Sequence, residues 1–453
     1  MQARIDKLFV ANRGEIAVRI VRAARELGMT TVVGCSAADE DSLAVRMADE
    51  AVTIGPAVAA KSYLDVAAVV AAAKASGADA VHPGYGFLSE NAAFAQAVAD
   101  AGMIFVGPSP RAITLMGDKA QARVCAKAAG VPTVPGSEGV VESLAAAFEA
   151  AAAVGYPIML KAAAGGGGRG IRVAANAQEL EAQYGVAARE AHSAFGYGGL
   201  YLERFVGMAR HVEVQILGDG ERAIHLFERE CSLQRRRQKL VEEAPSPSLD
   251  NDVRQEMCAS AVALAASVGY RGVGTVEYLY DPAAREFFFI EMNTRVQVEH
   301  PVTEMITGID IVRESLRLAT GEALRYTQAD IVPRGAAIEC RINAEDPAKN
   351  FMPSPGKIGA LRLPAGPGVR VETHLFDGYT VPPFYDSLLA KIVVWDSTRA
   401  EAIQRMKRSL AEFELDGLKT TKPLHLALLD DEAVRAGDYH TGFLEEHLAS
   451  ILR

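Results

Sequence analysis

Residues 287–301 read Phe-Phe-Phe-Ile-Glu-Met-Asn-Thr-Arg-Val-Gln-Val-Glu-His-Pro, and this is where the chain concentrates side chains able to do chemistry. Three aromatics and Ile290 form an apolar strand that ends by delivering Glu291, Asn293, Arg295, Gln297 and Glu299 in quick succession. Ending a buried strand on ionised groups is costly unless something polar is bound there. Just upstream, residues 272–280 read as a second strand, and Asp281-Pro282 opens a turn. A hairpin centred near Ala284 sets Glu277 opposite Glu291 on one face. Opposed like charges destabilise a sheet pair. A divalent cation between them removes the repulsion, since hard cations take carboxylate oxygens and Mg²⁺ usually arrives with phosphate. A register shifted by one residue would instead send the two glutamates to opposite faces.

Beyond Glu291, an extended chain puts Arg295, Gln297 and Glu299 on one side, with Val296 and Val298 behind them. The Arg295 fork suits a carboxylate-like or carbonate-like anion, and Glu299 is placed to take a proton as a general base. The competing reading is an exposed, salt-bridged loop, which the apolar lead-in disfavours.

These residues need a scaffold, and the chain is long enough for one. Its 453 residues allow two or three domains with substantial cores. Lys and Arg number 47 against 57 Asp and Glu, a net charge of -10, which argues against a nucleic-acid or membrane-surface binder. Cys35, Cys125, Cys231, Cys258 and Cys340 are scattered, with no Cys-x-x-Cys. They suggest neither a disulfide framework nor a zinc site, and a reducing cytoplasm fits best. The first 14 residues lack the long apolar core of a signal peptide, and the apolar stretches elsewhere are broken by charge, so no membrane span is expected.

Strand, turn and helix alternate up to about Pro110, which predicts a parallel sheet covered by helices. Residues 7–11 form its first strand, and the helix that follows keeps helical spacing through Ile16, Ile20, Val21, Ala24 and Leu27 until Gly28 stops it. Ligands gather at the carboxyl ends of such strands. There lies His82-Pro-Gly-Tyr-Gly-Phe-Leu-Ser-Glu-Asn91. A turn and helix cap would account for its glycines but would leave an exposed Tyr85 unexplained.

A second α/β unit begins near Asp118. Lys119 opens its helix, and Lys161 closes the strand 156–160 just before Ala-Ala-Ala-Gly-Gly-Gly-Gly-Arg-Gly. Bare backbone N–H groups beside an ammonium make a phosphate cradle. Gly165, Gly167 and Gly170 also spell G-x-G-x-x-G, but a strand, not a helix, follows, so the dinucleotide fingerprint fails. A protein-kinase loop would carry its lysine after the glycines. Residues 165–170 therefore read as a flap between two strands, laid over phosphates. Alternating strands at 200–205 and 211–217 lead to Arg235-Arg-Arg-Gln-Lys239, which with Glu242-Glu243 reads as a paired segment lining an anionic site. A helix over about 250–268 precedes the hairpin, and another over 310–320 follows it. After Gly321 short strands and proline turns suggest a third, β-rich domain. Within it, Arg341 between Glu339 and Glu345 also reads as a structurally paired arginine.

Together, residues 82–91, the 165–170 flap, 230–245 and 291–303 resemble the biotin carboxylases, an ATP-grasp family, and the likeness runs along essentially the whole chain. It implies an α/β fold with an N-terminal parallel α/β domain (1–113), an ATP-grasp core (114–330) with a mobile lid at about 132–203, and a β-rich C-terminal domain (331–453). By resemblance, Lys119 and Lys161 would hold ATP phosphates beneath the flap glycines Gly166, Gly167 and Gly168. The backbone of Arg204 and Val206 and the side chains of Glu203, His211 and Gln234 would hold adenine and ribose. Glu277, Glu291 and Asn293 would take Mg²⁺, or Mn²⁺ in its place. Lys239, Arg295, Gln297 and the Val298 backbone would hold bicarbonate while Glu299 removes its proton. Arg341 would stabilise the biotin enolate, with Tyr85 near the ring.

The resemblance further implies a biotin carrier protein and a carboxyltransferase subunit as partners, and a homodimer meeting at Arg19, Arg22, Glu26 and Arg370. Two positions depart from the family pattern: Arg237 stands where His is common, and Pro367 where the dimer interface has an aromatic. No Met-Lys-Met biotin acceptor is present. Two other function classes compete: an ATP-grasp ligase with a different acceptor, and a non-catalytic nucleotide sensor. A sensor has no use for a general base.

Overall fold

The structure is a computed structural model and describes residues 4–163, 172–195 and 197–452. The first region is a five-stranded parallel sheet in the order β3-β2-β1-β4-β5, from β1 (Lys7–Val10), β2 (Thr30–Ser36), β3 (Glu50–Gly55), β4 (Ala80–His82) and β5 (Ile104–Phe105). The expected helix α1 spans Gly14–Glu26, and Gly28, at φ +75°, ends it as expected. Its Ile16, Ile20, Val21 and Ala24 are buried in the same core as Val312 and Leu316 of the helix Ile311–Ala319. The strand order reverses between β1 and β4, the position at which open α/β sheets hold ligands. Asn12 bridges the two loops there, its Nδ2 donating to the carbonyls of Pro83 at 2.6 Å and Tyr85 at 2.8 Å. Gly84 has φ +63°, and a Cβ on it would meet Asn12 Nδ2 at 2.8 Å, so this turn needs glycine.

A small antiparallel sheet follows in the order β7-β6-β8, from β6 (Ile158–Ala162), β7 (Arg172–Ala174) and β8 (Leu200–Arg204). It has a core of its own, in which Ile158, Leu160, Leu200 and Leu202 pack on Leu180 and Tyr184. Lys161 lies within β6, one residue inside its end. The 165–170 flap lies outside the described residues.

The largest sheet has eight strands. It runs from β13 (Glu286–Asn293) through β12 (Arg271–Asp281), β9 (Arg210–Asp219), β10 (Ala223–Arg235), β11 (Gln238–Ala244) and β14 (Ala336–Asn343) to the strands Leu388–Asp396 and Val369–Thr373. After Gly321 three two-stranded sheets stand apart, but the long strands do not. β14 pairs with β11 from Val241↔Cys340 to Ala244↔Ala337, so the expected third domain extends the sheet of the second. Turn signals mark where a chain bends, but strand partners are set by non-local pairing, which local pattern does not report.

Among the described residues no helix is long and apolar enough to cross a membrane. All five cysteines are free.

Candidate active site

In the hairpin of β12 and β13 Glu277 lies opposite Glu291, as read from the sequence, and Thr275 opposite Asn293. Nearer the turn the pairing is one residue off, with Tyr278 opposite Phe289, and a bulge between Glu277 and Tyr278 restores the expected pair. On the other side of β12, Glu277 faces Glu213 and Thr275 faces Gln215 of β9, and Glu213 in turn faces Arg229 of β10. Three carboxylates thus lie abreast across three strands. Such a row is tolerable only with cations set into it. Arg229 is fully buried and supplies one: its Nε reaches Glu213 at 2.6 Å, while its Nη groups donate to Gln215 (2.7 Å), Thr303 (2.9 Å) and Gln297 (2.8 Å). Lys239 of β11 supplies the other. Its Nζ lies 2.5 Å from Glu213, 3.1 Å from Glu277 and 2.5 Å from Glu299.

Glu299 is held from two sides, by Lys239 and by Arg341 Nη2 at 3.0 Å. Burial works to raise its pKa, but Lys239, Arg341 and Arg229 override that and hold it well below the usual carboxylate range. Glu277 is likewise buried and held low, chiefly by Lys239 and His211. Burial has the opposite outcome at Glu242, which accepts from Arg341 Nε at 2.5 Å yet is pushed up to about 7. Glu339, its register partner, has no hydrogen-bond partner for either oxygen, and burial pushes it well above the usual range.

Residues 294–299 are not an extended strand. Glu299 has φ -81° and ψ 5° and immediately precedes the helix His300–Thr307. Arg295, Gln297 and Glu299 are brought together by this turn and not by strand alternation, because Pro301 at the head of the helix starts it early. Gln297 donates to Glu277 at 2.8 Å. Arg295 donates to Glu90 at 2.8 Å and to Asn293 Oδ1 at 2.9 Å, which ties this loop to the one after β4. The Val298 carbonyl accepts from Lys391 at 2.8 Å.

At the other end of the row Glu291 is half-exposed, with Lys119 at 3.5 Å. Lys119 opens the helix Lys119–Ala128. Lys161 pairs with Glu203, which also accepts from Arg123 at 2.8 Å, so the Glu203 carboxylate, expected on a nucleotide, here holds a lysine. The Arg204 backbone N–H is committed to the Pro135 carbonyl at 2.8 Å. Val206 is buried, Gln234 faces Lys239 across β10 and β11, and His211 Nε2 stands 3.1 Å from Glu277.

Two expectations need correction here. The basic run does not line the site as a block: Arg236 (φ +48°) and Arg237 (φ +66°) are the two central residues of the β10–β11 hairpin turn, a geometry that demands positive φ at both. Arg235 covers the Phe351 ring with its guanidinium carbon at 4.0 Å, and of the run only Lys239 reaches the carboxylates. Tyr85 is not exposed; it is half-buried, and its hydroxyl donates to Glu15.

Sequence reading gave no role to Glu213, Arg229, Glu90, Glu15 and Lys391. A signal existed for some of them. In β9, His211, Glu213 and Gln215 alternate with Val212, Val214 and Ile216, a polar stripe inside a strand buried on both faces. Lys391 likewise interrupts the apolar run 389–394.

Glu277, Glu291 and Asn293 offer two carboxylates and an amide oxygen on adjoining paired positions. This all-oxygen donor set is of the kind a hard divalent cation such as Mg²⁺ takes, while in this structure Lys239 and His211 hold the Glu277 carboxylate and Arg295 the Asn293 oxygen.

Three family descriptions match the chain end to end: "Biotin carboxylase, N-terminal domain" at residues 4–113, "Carbamoyl-phosphate synthase L chain, ATP binding domain" at 118–327, and "Biotin carboxylase C-terminal domain" at 339–446. A protein named biotin carboxylase 1, from Bacillus subtilis (strain 168), is 53% identical over 444 residues, covering 98% of this chain and 99% of that one. The chain belongs to the biotin carboxylase family. Solved structures agree with this. The biotin carboxylase domain dimer of 2-oxoglutarate carboxylase from Hydrogenobacter thermophilus, in complex with MgADP, ADP and bicarbonate, has a TM-score of 0.89 at 47% identity over 100% of this chain and 99% of that one. A Campylobacter jejuni biotin carboxylase–βγ-ATP complex has a TM-score of 0.90 at 46% identity, covering 98% of this chain and 99% of that one. Biotin carboxylases are ATP-grasp ligases that use ATP, Mg²⁺, bicarbonate and biotin, and this chain is such an enzyme.

Proposed function

We propose that the residue roles implied by the family hold here and that the chain carboxylates biotin on a separate carrier protein, the first half-reaction of an acyl-CoA carboxylase serving fatty acid synthesis. The observation that carries the reading is Glu299, kept ionised between Lys239 and Arg341 beside the Arg295–Gln297 turn. Lys239, Arg295, Gln297 and the Val298 backbone bind bicarbonate, and Glu299 takes its proton. The bicarbonate oxygen then attacks the γ-phosphorus of ATP and the bond to ADP breaks, giving carboxyphosphate. Carboxyphosphate breaks to CO₂ and phosphate, the released phosphate takes the proton from a ring nitrogen of biotin, and that nitrogen forms its bond to the CO₂ carbon. Arg341 faces the enolate that forms on biotin, with Tyr85 beside the ring. Glu277, Glu291 and Asn293 would hold Mg²⁺, which would supply neutralisation of phosphate charge. Lys119, Lys161 and the flap glycines hold the phosphates, and Glu203, Arg204, Val206, His211 and Gln234 hold the nucleoside. The protein's contribution is mostly placement and charge neutralisation, as expected for phosphoryl transfer.

The working form in this reading is a homodimer, with a carrier protein and a carboxyltransferase as partners. The solved dimer of a relative supports the first point. Arg19, Arg22 and Arg370, three of the expected contact residues, converge on Glu304 and Glu372. Pro367 is exposed in the turn before Val369–Thr373. We place the enzyme in a reducing cytoplasm, supported by its unpaired cysteines. The domains follow the family boundaries near residues 113 and 330.

The test is ATP hydrolysis by the purified chain with and without bicarbonate and with free biotin. The expected result is turnover that requires bicarbonate and rises with biotin. Turnover indifferent to biotin and stimulated instead by ammonia or a purine ribotide would assign a different ligase activity.

A further inference from the structure

Lys391 is fully buried on the strand Leu388–Asp396 and has no part in the steps above. Its register neighbour on β14 is Arg341, so two cations stand side by side on adjacent strands. Adjacent like charges need separate partners to persist, and these have them: Arg341 takes Glu242 and Glu299, while Lys391 Nζ lies 3.0 Å from Glu15 Oε1 and donates to the Val298 carbonyl at 2.8 Å. The same Glu15 oxygen accepts the Tyr85 hydroxyl. The other Glu15 oxygen is buried and has no hydrogen-bond partner among the described residues, so the polar contacts found for this carboxylate run through the one oxygen. One unbroken line of contacts thus runs from Tyr85 in the loop after β4, through Glu15 of α1 and Lys391, to the backbone just ahead of Glu299.

The last contact has a geometric consequence. The Val298 carbonyl shares a rigid peptide plane with the Glu299 nitrogen. Holding that oxygen fixes the plane and with it the Glu299 Cα, and the φ of -81° at the head of the helix then sets the direction in which the side chain leaves the backbone. Lys239 and Arg341 orient the carboxylate at its tip, and Lys391 orients it at its root.

We propose that Lys391 and Glu15 are positioning residues for the Glu299 base, and that they couple its placement to Tyr85 on the biotin side. This inference rests on the reading of Glu299 as the base for bicarbonate. Lys391→Met strands a buried Glu15 carboxylate and destabilises the fold for that reason alone. The informative variant is therefore the full chain carrying Lys391→Met with Glu15→Gln, which removes both charges and leaves an acceptor for Tyr85. Its thermal midpoint should recover relative to Lys391→Met. Its kcat for bicarbonate-dependent ATP hydrolysis should stay about 10- to 100-fold down, the cost of a misplaced group, with KM for MgATP unchanged and a smaller fold-stimulation by free biotin. Wild-type kcat in the double variant, or a loss confined to KM for MgATP, would overturn the proposal. Failure of the underlying reading shows separately, as near-wild-type bicarbonate-dependent turnover in Glu299→Gln.

Discussion

Glu291 is half-exposed with Lys119 at 3.5 Å, whereas Glu299 is buried with Lys239 at 2.5 Å and Arg341 at 3.0 Å. Both belong to one cluster of carboxylates that also contains Glu277 and Glu213, yet their surroundings assign them different work. At the Glu299 end the protein supplies its own counter-charges and fixes them with buried hydrogen bonds, so the carboxylate is ready before any ligand arrives. At the Glu291 end the charge is left open for a ligand to complete. Preorganisation lies where a proton must move, and openness where a metal–nucleotide complex must enter and leave.

The sharpest way to break this contrast is to attack the closed end at its root. Arg229→Leu leaves Glu213 buried beside an empty volume and should cost about 3–5 kcal/mol of stability, measured by urea unfolding. Glu291→Gln, at the open end, should stay within about 0.5 kcal/mol. Equal losses would mean that the two ends do not differ in preorganisation.

A second prediction concerns the lid. Lys161 pairs with Glu203 here and is free to exchange that partner for phosphate. Lys161→Met should raise the dissociation constant for MgATP by about 10- to 100-fold, the worth of a charge-assisted hydrogen bond, with folding stability little changed. Calorimetric titration reads this directly.

The third prediction is a pH dependence. The Glu299 pKa is depressed in the fold, so the stabilisation it brings is fully present above the ordinary Glu value of about 4.3 and is lost as pH falls below it toward the depressed value. Glu242 titrates near 7 beside it, so the comparison is made in a Glu242→Gln background, where the difference in unfolding free energy with and without Glu299→Gln should be flat from about pH 8 to 5 and shrink only below about pH 4.3. Shrinkage already near pH 6 would mean that burial, and not Lys239 and Arg341, sets the charge of this group. The smallest effect is expected at Lys407, paired with Asp430 on the surface, where Lys407→Ala should change stability by no more than about 0.5 kcal/mol.

Much of this was legible in the sequence, for identifiable reasons. The β12–β13 hairpin is local, so its alternation and turn residues disclose the two strands and their antiparallel pairing, and the Glu277–Glu291 pair is completed by a bulge between Glu277 and Tyr278. The first sheet follows from strand–helix alternation, and its ligand-facing loops follow from strand polarity. Arg229 and Glu213 escaped notice because their meaning depends on which strands lie side by side, and nothing near either residue in sequence encodes that. Arg237 misled for the opposite reason: four basic residues in five positions suggest a common purpose, but a two-residue hairpin turn sends neighbours in different directions. Tyr85 was expected to be exposed, and its half-buried environment depends on Glu15, 70 positions away.

The central claim is that the two ends of the carboxylate cluster do separate jobs, and one paired measurement tests it: MgATP affinity and bicarbonate-dependent kcat, determined side by side for Glu291→Gln and Glu299→Gln. Glu291→Gln should weaken MgATP binding and suppress turnover with it. Glu299→Gln should bind MgATP as wild type does while kcat falls by about 10²- to 10⁴-fold, the usual consequence of losing a general base. Near-normal turnover in Glu299→Gln, or the same collapse of MgATP binding in both variants, would contradict the account.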